Sequence, residues 1–127
     1  MIQREAYAAL MRLAEQFPVV AVMGPRQSGK STLAMAAFPE KKYISFDDKN
    51  YRELAKSNPG DFLKAFADGV VIDGAQKVPE IFDAIKLIVD SGTYTPGKYI
   101  FIVTEGLVTE VVTEGRFYRL CSFAADR

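Results

Sequence analysis

Apolar residues follow two patterns along the chain, one with helical spacing and one of short continuous runs typical of buried strands. Residues 3–17 place apolar side chains at helical spacing, and Pro18 ends that pattern just before the apolar run Val19 to Met23. A run that is β-branched and apolar on both faces is typical of a buried parallel strand. A glycine-rich turn then leads into a second helical segment, Ser31 to Phe38. The pattern predicts a helix, a strand, a glycine-rich loop and another helix.

The same alternation continues downstream. Further strands are predicted at Tyr43 to Phe46, Val70 to Asp73, Tyr99 to Thr104 and Arg116 to Phe123, and further helices at 49–56, 59–67 and 80–91. Asn58 followed by Pro59 marks a helix start, as an N-cap followed by proline at the first helical position. Residues 105–115 fit either a helix or an extended segment and are left unassigned. Strands alternating with helices predict an α/β fold, a mainly parallel sheet covered by helices on both faces.

The loop between the first strand and its helix carries the strongest chemical pattern in the chain. Residues 24–31 satisfy G-x-x-x-x-G-K-[ST], in which backbone amides ring phosphate groups, Lys30 pairs with the outer phosphates and Ser31 holds magnesium. A simple glycine turn is the alternative interpretation. The motif, with the residue after it, predicts this nucleotide-binding set: Gly24, Pro25, Arg26, Gln27, Ser28, Gly29, Lys30, Ser31 and Thr32.

An acidic residue that holds magnesium is expected at the end of another apolar strand, and Asp73 ends the run that begins at Val70. The alternative is an aspartate that only caps the next turn. Because a phosphate-binding loop lies upstream, we interpret Asp73, together with Ser31, as the metal-binding pair of an Mg-ATP site.

Composition and length exclude several classes of functional site. Sixteen basic residues balance sixteen acidic ones, so no overall field that would concentrate nucleic acid or an anionic membrane is expected. The chain has no histidine, which excludes Ser-His triads and His-ligated zinc, and its one cysteine excludes an internal disulfide. No apolar run is long enough for a signal peptide or a membrane span, so a cytoplasmic location is expected. The length suits one domain, residues 1–127.

Several consecutive segments resemble one known family. GPRQSGKSTL, YISFDD, YRELAKSNPGDFL, VVIDGAQKVPEIFDAIK and YIFIVT look like the motifs of the prokaryotic AAA+ type ATPases that have a GPRQxGKTTL P-loop and usually a separate C-terminal domain. The resemblance implies a P-loop NTPase α/β/α sandwich with strand order 5-1-4-3-2. It also implies that Asp73 belongs to the Walker B strand. The strand tip at Thr104 would then lie between Asp73 and the P-loop, which makes Thr104 a candidate catalytic residue.

The chain departs from that family at the residue after Asp73. The family reads D-E-[AI]-Q, whereas this chain has Asp73-Gly74-Ala75-Gln76, so the usual catalytic glutamate is missing. Loss of a general base commonly costs roughly a hundred to ten-thousand-fold in rate, so binding should survive better than turnover. The chain also stops at Arg127, where the family continues, which suggests a truncated or decayed copy.

Two further candidates lie in the last part of the chain. Glu105 replaces a glycine of the family's T-G-S, and it either takes over part of the water positioning or is an exposed turn carboxylate. Arg116 is either a finger-like residue that reaches the nucleotide of a neighbouring subunit or an ordinary turn arginine.

These observations favour an ATP-binding domain with weak or absent hydrolysis, which acts through nucleotide-dependent shape change on an unknown protein partner. Oligomerisation is left open. The alternatives are a small P-loop kinase, for which no arginine-bearing lid or acceptor pocket is evident, and an interaction module with a vestigial nucleotide site. A GTPase is disfavoured, because neither D-x-x-G nor N-K-x-D occurs.

Overall fold

The computed structural model describes residues 4–24, 29–92, 96–104 and 117–121. Helices and strands alternate along the chain as the sequence pattern predicts. In chain order the elements are α1 (Arg4–Gln16), β1 (Val19–Gly24), α2 (Lys30–Ala37), β2 (Lys42–Ser45), α3 (Lys49–Ser57), α4 (Pro59–Lys64), β3 (Val70–Asp73), a single 3-10 turn (Ala75–Lys77), α5 (Glu80–Asp90), β4 (Tyr99–Thr104) and β5 (Phe117–Cys121).

The five strands form one sheet in the order β2-β3-β4-β1-β5, and every neighbouring pair is parallel. Read from the opposite edge, this is the order 5-1-4-3-2 that the family resemblance implies, so that prediction is confirmed. β1 pairs with β4 on one side and β5 on the other, and all six of its residues are buried. Because the strands are parallel, their carboxyl ends meet at one edge of the sheet.

Helices cover both faces of the sheet, as expected for a three-layer α/β/α domain. The alternation of side chains along each strand divides the buried residues into two clusters. Val19, Ala21 and Met23 of β1 pack toward α3, α4 and α5, whereas Val20 and Val22 pack toward α1 and α2. None of the described helices is long and apolar enough to cross a lipid bilayer.

Caps fix the starts of two helices. The Asp48 side chain accepts a hydrogen bond from the backbone N–H of Asn50 at α3, and Asn58 accepts one from the N–H of Asp61 at α4, with Pro59 in the first turn as predicted. The predicted end of α4 near Ala67 is wrong, because the helix ends at Lys64 and tight turns follow. The other described boundaries lie within two residues of prediction, as is common at element ends. The predicted ends of the last strand, Arg116 and Phe123, lie outside the described residues.

Gly97 fixes the turn into β4 against the end of α1. Its φ is +73°, and a Cβ at this position would lie 2.6 Å from the backbone oxygen of Ala14. Gly92 has a similar φ of +81° but no atom within 4 Å of the corresponding position. Both Ala substitutions incur the left-handed backbone penalty of about 1–2 kcal/mol. Gly97→Ala adds a clash with backbone, so urea denaturation should show a larger loss of stability for Gly97→Ala than for Gly92→Ala. Equal losses would contradict the close approach to Ala14.

Candidate functional site

Three of the predicted site residues lie at the carboxyl edge of the sheet. Gly24 ends β1, Asp73 ends β3 and Thr104 ends β4, the strand between them. Gly24 lies opposite Thr104 in the strand register, and Asp73 lies opposite Ile102. The resemblance-based prediction that the tip of this strand lies between Asp73 and the P-loop is therefore confirmed for the backbone.

The P-loop leads directly into α2. Gly29 precedes the helix with φ +91°, a left-handed conformation that suits glycine, and it provides no side-chain cap. The N–H groups of the first helical turn point out of the helix and have no intrahelical partners, so an uncapped N-terminus suits an anion. Residues Pro25, Arg26, Gln27 and Ser28, also predicted here, lie outside the described residues.

Among the described residues, Lys30 is the only charged one that is buried. Only 7% of its surface is exposed. Its ammonium Nζ donates a hydrogen bond of 2.9 Å to the backbone oxygen of Gly24. The Lys30 side chain therefore extends from the start of α2 to the end of β1. A charged amine is rarely buried unless polar partners surround it, which is consistent with a role in anion binding.

The two predicted magnesium residues are in direct contact. The hydroxyl of Ser31 on α2 donates a 2.5 Å hydrogen bond to Oδ2 of Asp73 on β3, although the two residues are far apart in sequence. Among the described residues, Lys30, Ser31, Gly24 and Asp73 are thus brought to one edge of the sheet. Thr32, the last predicted nucleotide-binding residue, is exposed in the first turn of α2.

Tyr43 is a site residue that the sequence interpretation missed. Its hydroxyl donates a 2.5 Å hydrogen bond to Oδ2 of Asp73, the same oxygen that Ser31 uses. Partial burial of the phenol raises the pKa of Tyr43 to about 12, and the hydrogen bond to Asp73 is the second largest cause. The phenol therefore stays protonated at neutral pH and remains a donor to the carboxylate.

Gly74 lies where the family has its catalytic glutamate. Its φ is +77°, and its N–H donates to the backbone oxygen of Ile102, which ties the turn to β4. The stem of Lys77 covers this glycine, since a Cβ on Gly74 would lie 3.6 Å from Lys77 Cε. Lys77 then reaches Asp47, with 2.9 Å between Nζ and Oδ1. A lysine paired with another carboxylate thus lies beside the position of the missing glutamate.

Glu105 and Arg116 both fall outside the described residues, so their proposed roles stay predictions. Three residues after Asp73, the side-chain oxygen Oε1 of Gln76 is buried and has no hydrogen-bond partner within the described ranges. No signal in the sequence alone indicated the contacts of Tyr43 or Lys77, because both depend on how β2 and the turn after β3 are placed.

Comparison with known proteins places the chain in a family. A model of the AAA domain matches residues 16–114. Two uncharacterised proteins, from Mycobacterium tuberculosis and Mycobacterium bovis, are each 33% identical to the chain over 101 residues, which is 79% of this chain and 23% of theirs. The chain thus spans about a quarter of the length of these relatives.

The fold is also found among solved structures. The crystal structure of a DNA replication initiation factor superposes with a TM-score of 0.57 at 17% sequence identity, over 92% of this chain and 43% of that one. At this identity the similarity concerns the fold alone, and it agrees with the P-loop arrangement of the sheet and of α2. The chain therefore belongs to the AAA domain family, as a nucleotide-binding domain of the ATPase type.

Proposed function

We propose that the chain binds Mg-ATP at the P-loop, with Ser31 and Asp73 on the metal side and Lys30 on the phosphate side. The observation that carries the proposal is the 2.5 Å hydrogen bond between Ser31 and Asp73, which brings a hydroxyl and a carboxylate together beside the start of α2. Lys30, the residue before Ser31, is buried and donates through its ammonium to the backbone oxygen of Gly24. The three groups match the three kinds of contact that a magnesium-bound triphosphate needs.

The donor set fits magnesium. Hard oxygen ligands are what Mg²⁺ prefers, and in nucleotide sites it takes one or two protein oxygens, phosphate oxygens and water. Ser31 would contribute its hydroxyl oxygen directly, while its O–H continues to donate a hydrogen bond to Asp73. The described residues contain no cluster of three or more His, Cys, Asp or Glu side chains that would hold a metal alone. A metal that arrives with the nucleotide does not require one.

Each group in the chain has a separate task in this proposal. The N–H groups at the start of α2 bind phosphate oxygens, and Lys30 pairs with the outer phosphates. Bound magnesium supplies electrostatic stabilisation of the negative charge on the phosphates. Gly74 provides no carboxylate to polarise an attacking water, so we propose weak or absent hydrolysis. The domain would then act as a nucleotide-dependent switch on a protein partner.

Asp73→Asn tests the metal side of the proposal. The variant keeps the shape of the side chain but removes its charge, so we expect the gain in ATP affinity that magnesium gives to fall at least tenfold, on the order of the loss seen when metal-site residues are changed. Calorimetric titration with ATP, in excess magnesium and in EDTA, measures that gain for each protein.

Asp83→Asn is the matched control, because Asp83 is exposed on α5, on the other side of the sheet from α2. It should retain the full gain. If Asp73→Asn retains it as well, the metal site lies elsewhere. If the parent chain binds ATP under neither condition, the alternative of an interaction module with a vestigial site is supported.

A further inference from the structure

A tyrosine on the strand next to Asp73 completes the hydrogen bonding of one carboxylate oxygen. Tyr43 belongs to β2, which pairs in parallel with β3, and Ser45 of β2 lies opposite Asp73. Tyr43 lies opposite Val71, two residues before Asp73, so its side chain is on the same face of the sheet as that of Asp73. That face carries α2 and hence Ser31. The geometry thus brings a phenol, a hydroxyl and a carboxylate together from three elements.

Both donors use the same oxygen of Asp73. Ser31 Oγ and Tyr43 Oη each lie 2.5 Å from Oδ2. A carboxylate has about four acceptor positions on two oxygens, so two donors on Oδ2 fix the rotation of the group and direct Oδ1 away from them. An oxygen held in this way is suited to accept from a water molecule on a metal ion. Ser31 is one of the proposed metal ligands, whereas Tyr43 is not, and its contact is with the carboxylate alone.

The Tyr43 hydroxyl is close enough to solvent to be hydrated by water in place of binding Asp73. About 37% of the surface of Tyr43 is exposed, so the hydroxyl lies at the boundary with solvent. Instead the hydroxyl donates a charge-assisted hydrogen bond to the Asp73 carboxylate. Such bonds are shorter and stronger than those between neutral groups. Partners that orient a metal-binding carboxylate commonly change metal affinity by about 10–100-fold when removed.

We propose that Tyr43 is a positioning residue for the magnesium side of the nucleotide site: it holds Asp73 in the rotamer that, together with Ser31, receives the hydrated metal ion. The proposal rests on the proposed function and extends it to a residue outside the P-loop and the Walker B strand. It assigns Tyr43 no contact with nucleotide. Its effect must therefore appear in the contribution of magnesium and be absent from the binding of ATP without metal.

Tyr43→Phe isolates this effect, because it removes one oxygen and keeps the ring. By linkage, the ratio of ATP affinity in excess magnesium to ATP affinity in EDTA reports how tightly the protein-bound nucleotide holds the metal, relative to free ATP. We expect Tyr43→Phe to lower that ratio about tenfold, with the affinity for metal-free ATP unchanged. Tyr7→Phe is the matched control, since Tyr7 on α1 is equally exposed at 37%, and it should leave both quantities at the parent values.

The titrations distinguish a failure of the proposed function from a failure of the role assigned to Tyr43. If the parent chain shows no magnesium-dependent gain in ATP affinity, the proposed function fails and the role of Tyr43 fails with it. If the parent shows the gain and Tyr43→Phe keeps it in full, only the positioning role is overturned. An equal loss of affinity with and without magnesium would also overturn it, because that pattern indicates general damage to the site. A melting temperature for each variant shows whether such damage extends to the fold.

Discussion

Replacing Lys30 by alanine is expected to remove the rise in melting temperature that Mg-ATP gives the parent chain. A ligand that binds only the native state adds about 2.7 kcal/mol at one hundred times its dissociation constant. For a chain of this length that corresponds to roughly 10 °C. In the proposed site Lys30 carries the charge that pairs with the outer phosphates, and it is buried against the backbone oxygen of Gly24. Without the ammonium group, nucleotide binding at the same concentration should be negligible.

The measurement is a thermal denaturation with and without Mg-ATP for each protein. Because Lys30 is buried, its removal also changes the stability of the free protein, so the comparison is between the two shifts and not between the two melting temperatures. Lys30→Met, which keeps the apolar stem, should lose the shift in the same way. Lys56→Ala, an exposed lysine in the last turn of α3, should keep it. A full shift in Lys30→Ala would contradict the proposed phosphate contact.

Gly74→Glu is expected to raise ATP hydrolysis and to lower stability at the same time. A carboxylate restored after Asp73 supplies the missing base, and such a base is worth roughly a hundred to ten-thousand-fold. We expect an increase of about tenfold or more, near the lower end of the range, because Lys77 lies beside Gly74 and would attract the new carboxylate away from water. The left-handed φ of +77° adds a backbone penalty of about 1–2 kcal/mol.

Gly74→Ala separates the two effects. It carries the same backbone penalty without a carboxylate, and the space around a Cβ here allows ordinary contact. Urea denaturation should therefore show similar losses of stability for the two variants, while phosphate release should rise only for Gly74→Glu. If both hydrolyse ATP at the same rate, the glycine is not what limits turnover. If neither loses stability, the backbone at Gly74 adapts to a side chain at little cost.

The sequence predicted the elements that local chemistry determines. Buried strands are recognisable from continuous apolar runs such as Val19 to Met23, and the start of α4 from Asn58 and Pro59. The P-loop pattern gave the position of Lys30 and Ser31, and the expectation of a strand-terminal acid gave Asp73. Their meeting follows from parallel strands whose carboxyl ends share one edge. The order of the strands came from family resemblance and could not be derived from periodicity.

What the sequence could not provide depends on registers and backbone angles. Tyr43 reaches Asp73 only because β2 and β3 pair with Ser45 opposite Asp73, and no local pattern fixes that register. Lys77 covers Gly74 only because the turn after β3 takes a left-handed conformation. The roles predicted for Glu105 and Arg116, the single-domain extent of residues 1–127 and the cytoplasmic location stay predictions.

The central position of β1 bears on how the chain folds during synthesis. Val19 pairs with Tyr99 on one side and with Phe117 on the other, so β1 is synthesised before both of the strands that enclose it. Such non-local pairing slows folding, because the entropy of closing a long loop must be overcome before the contacts form. Until β4 emerges, the apolar run of β1 is exposed as an unpaired edge that favours aggregation. The strand that ends at Gly24 is therefore the part of the sheet most open to aggregation until its partner strands are made.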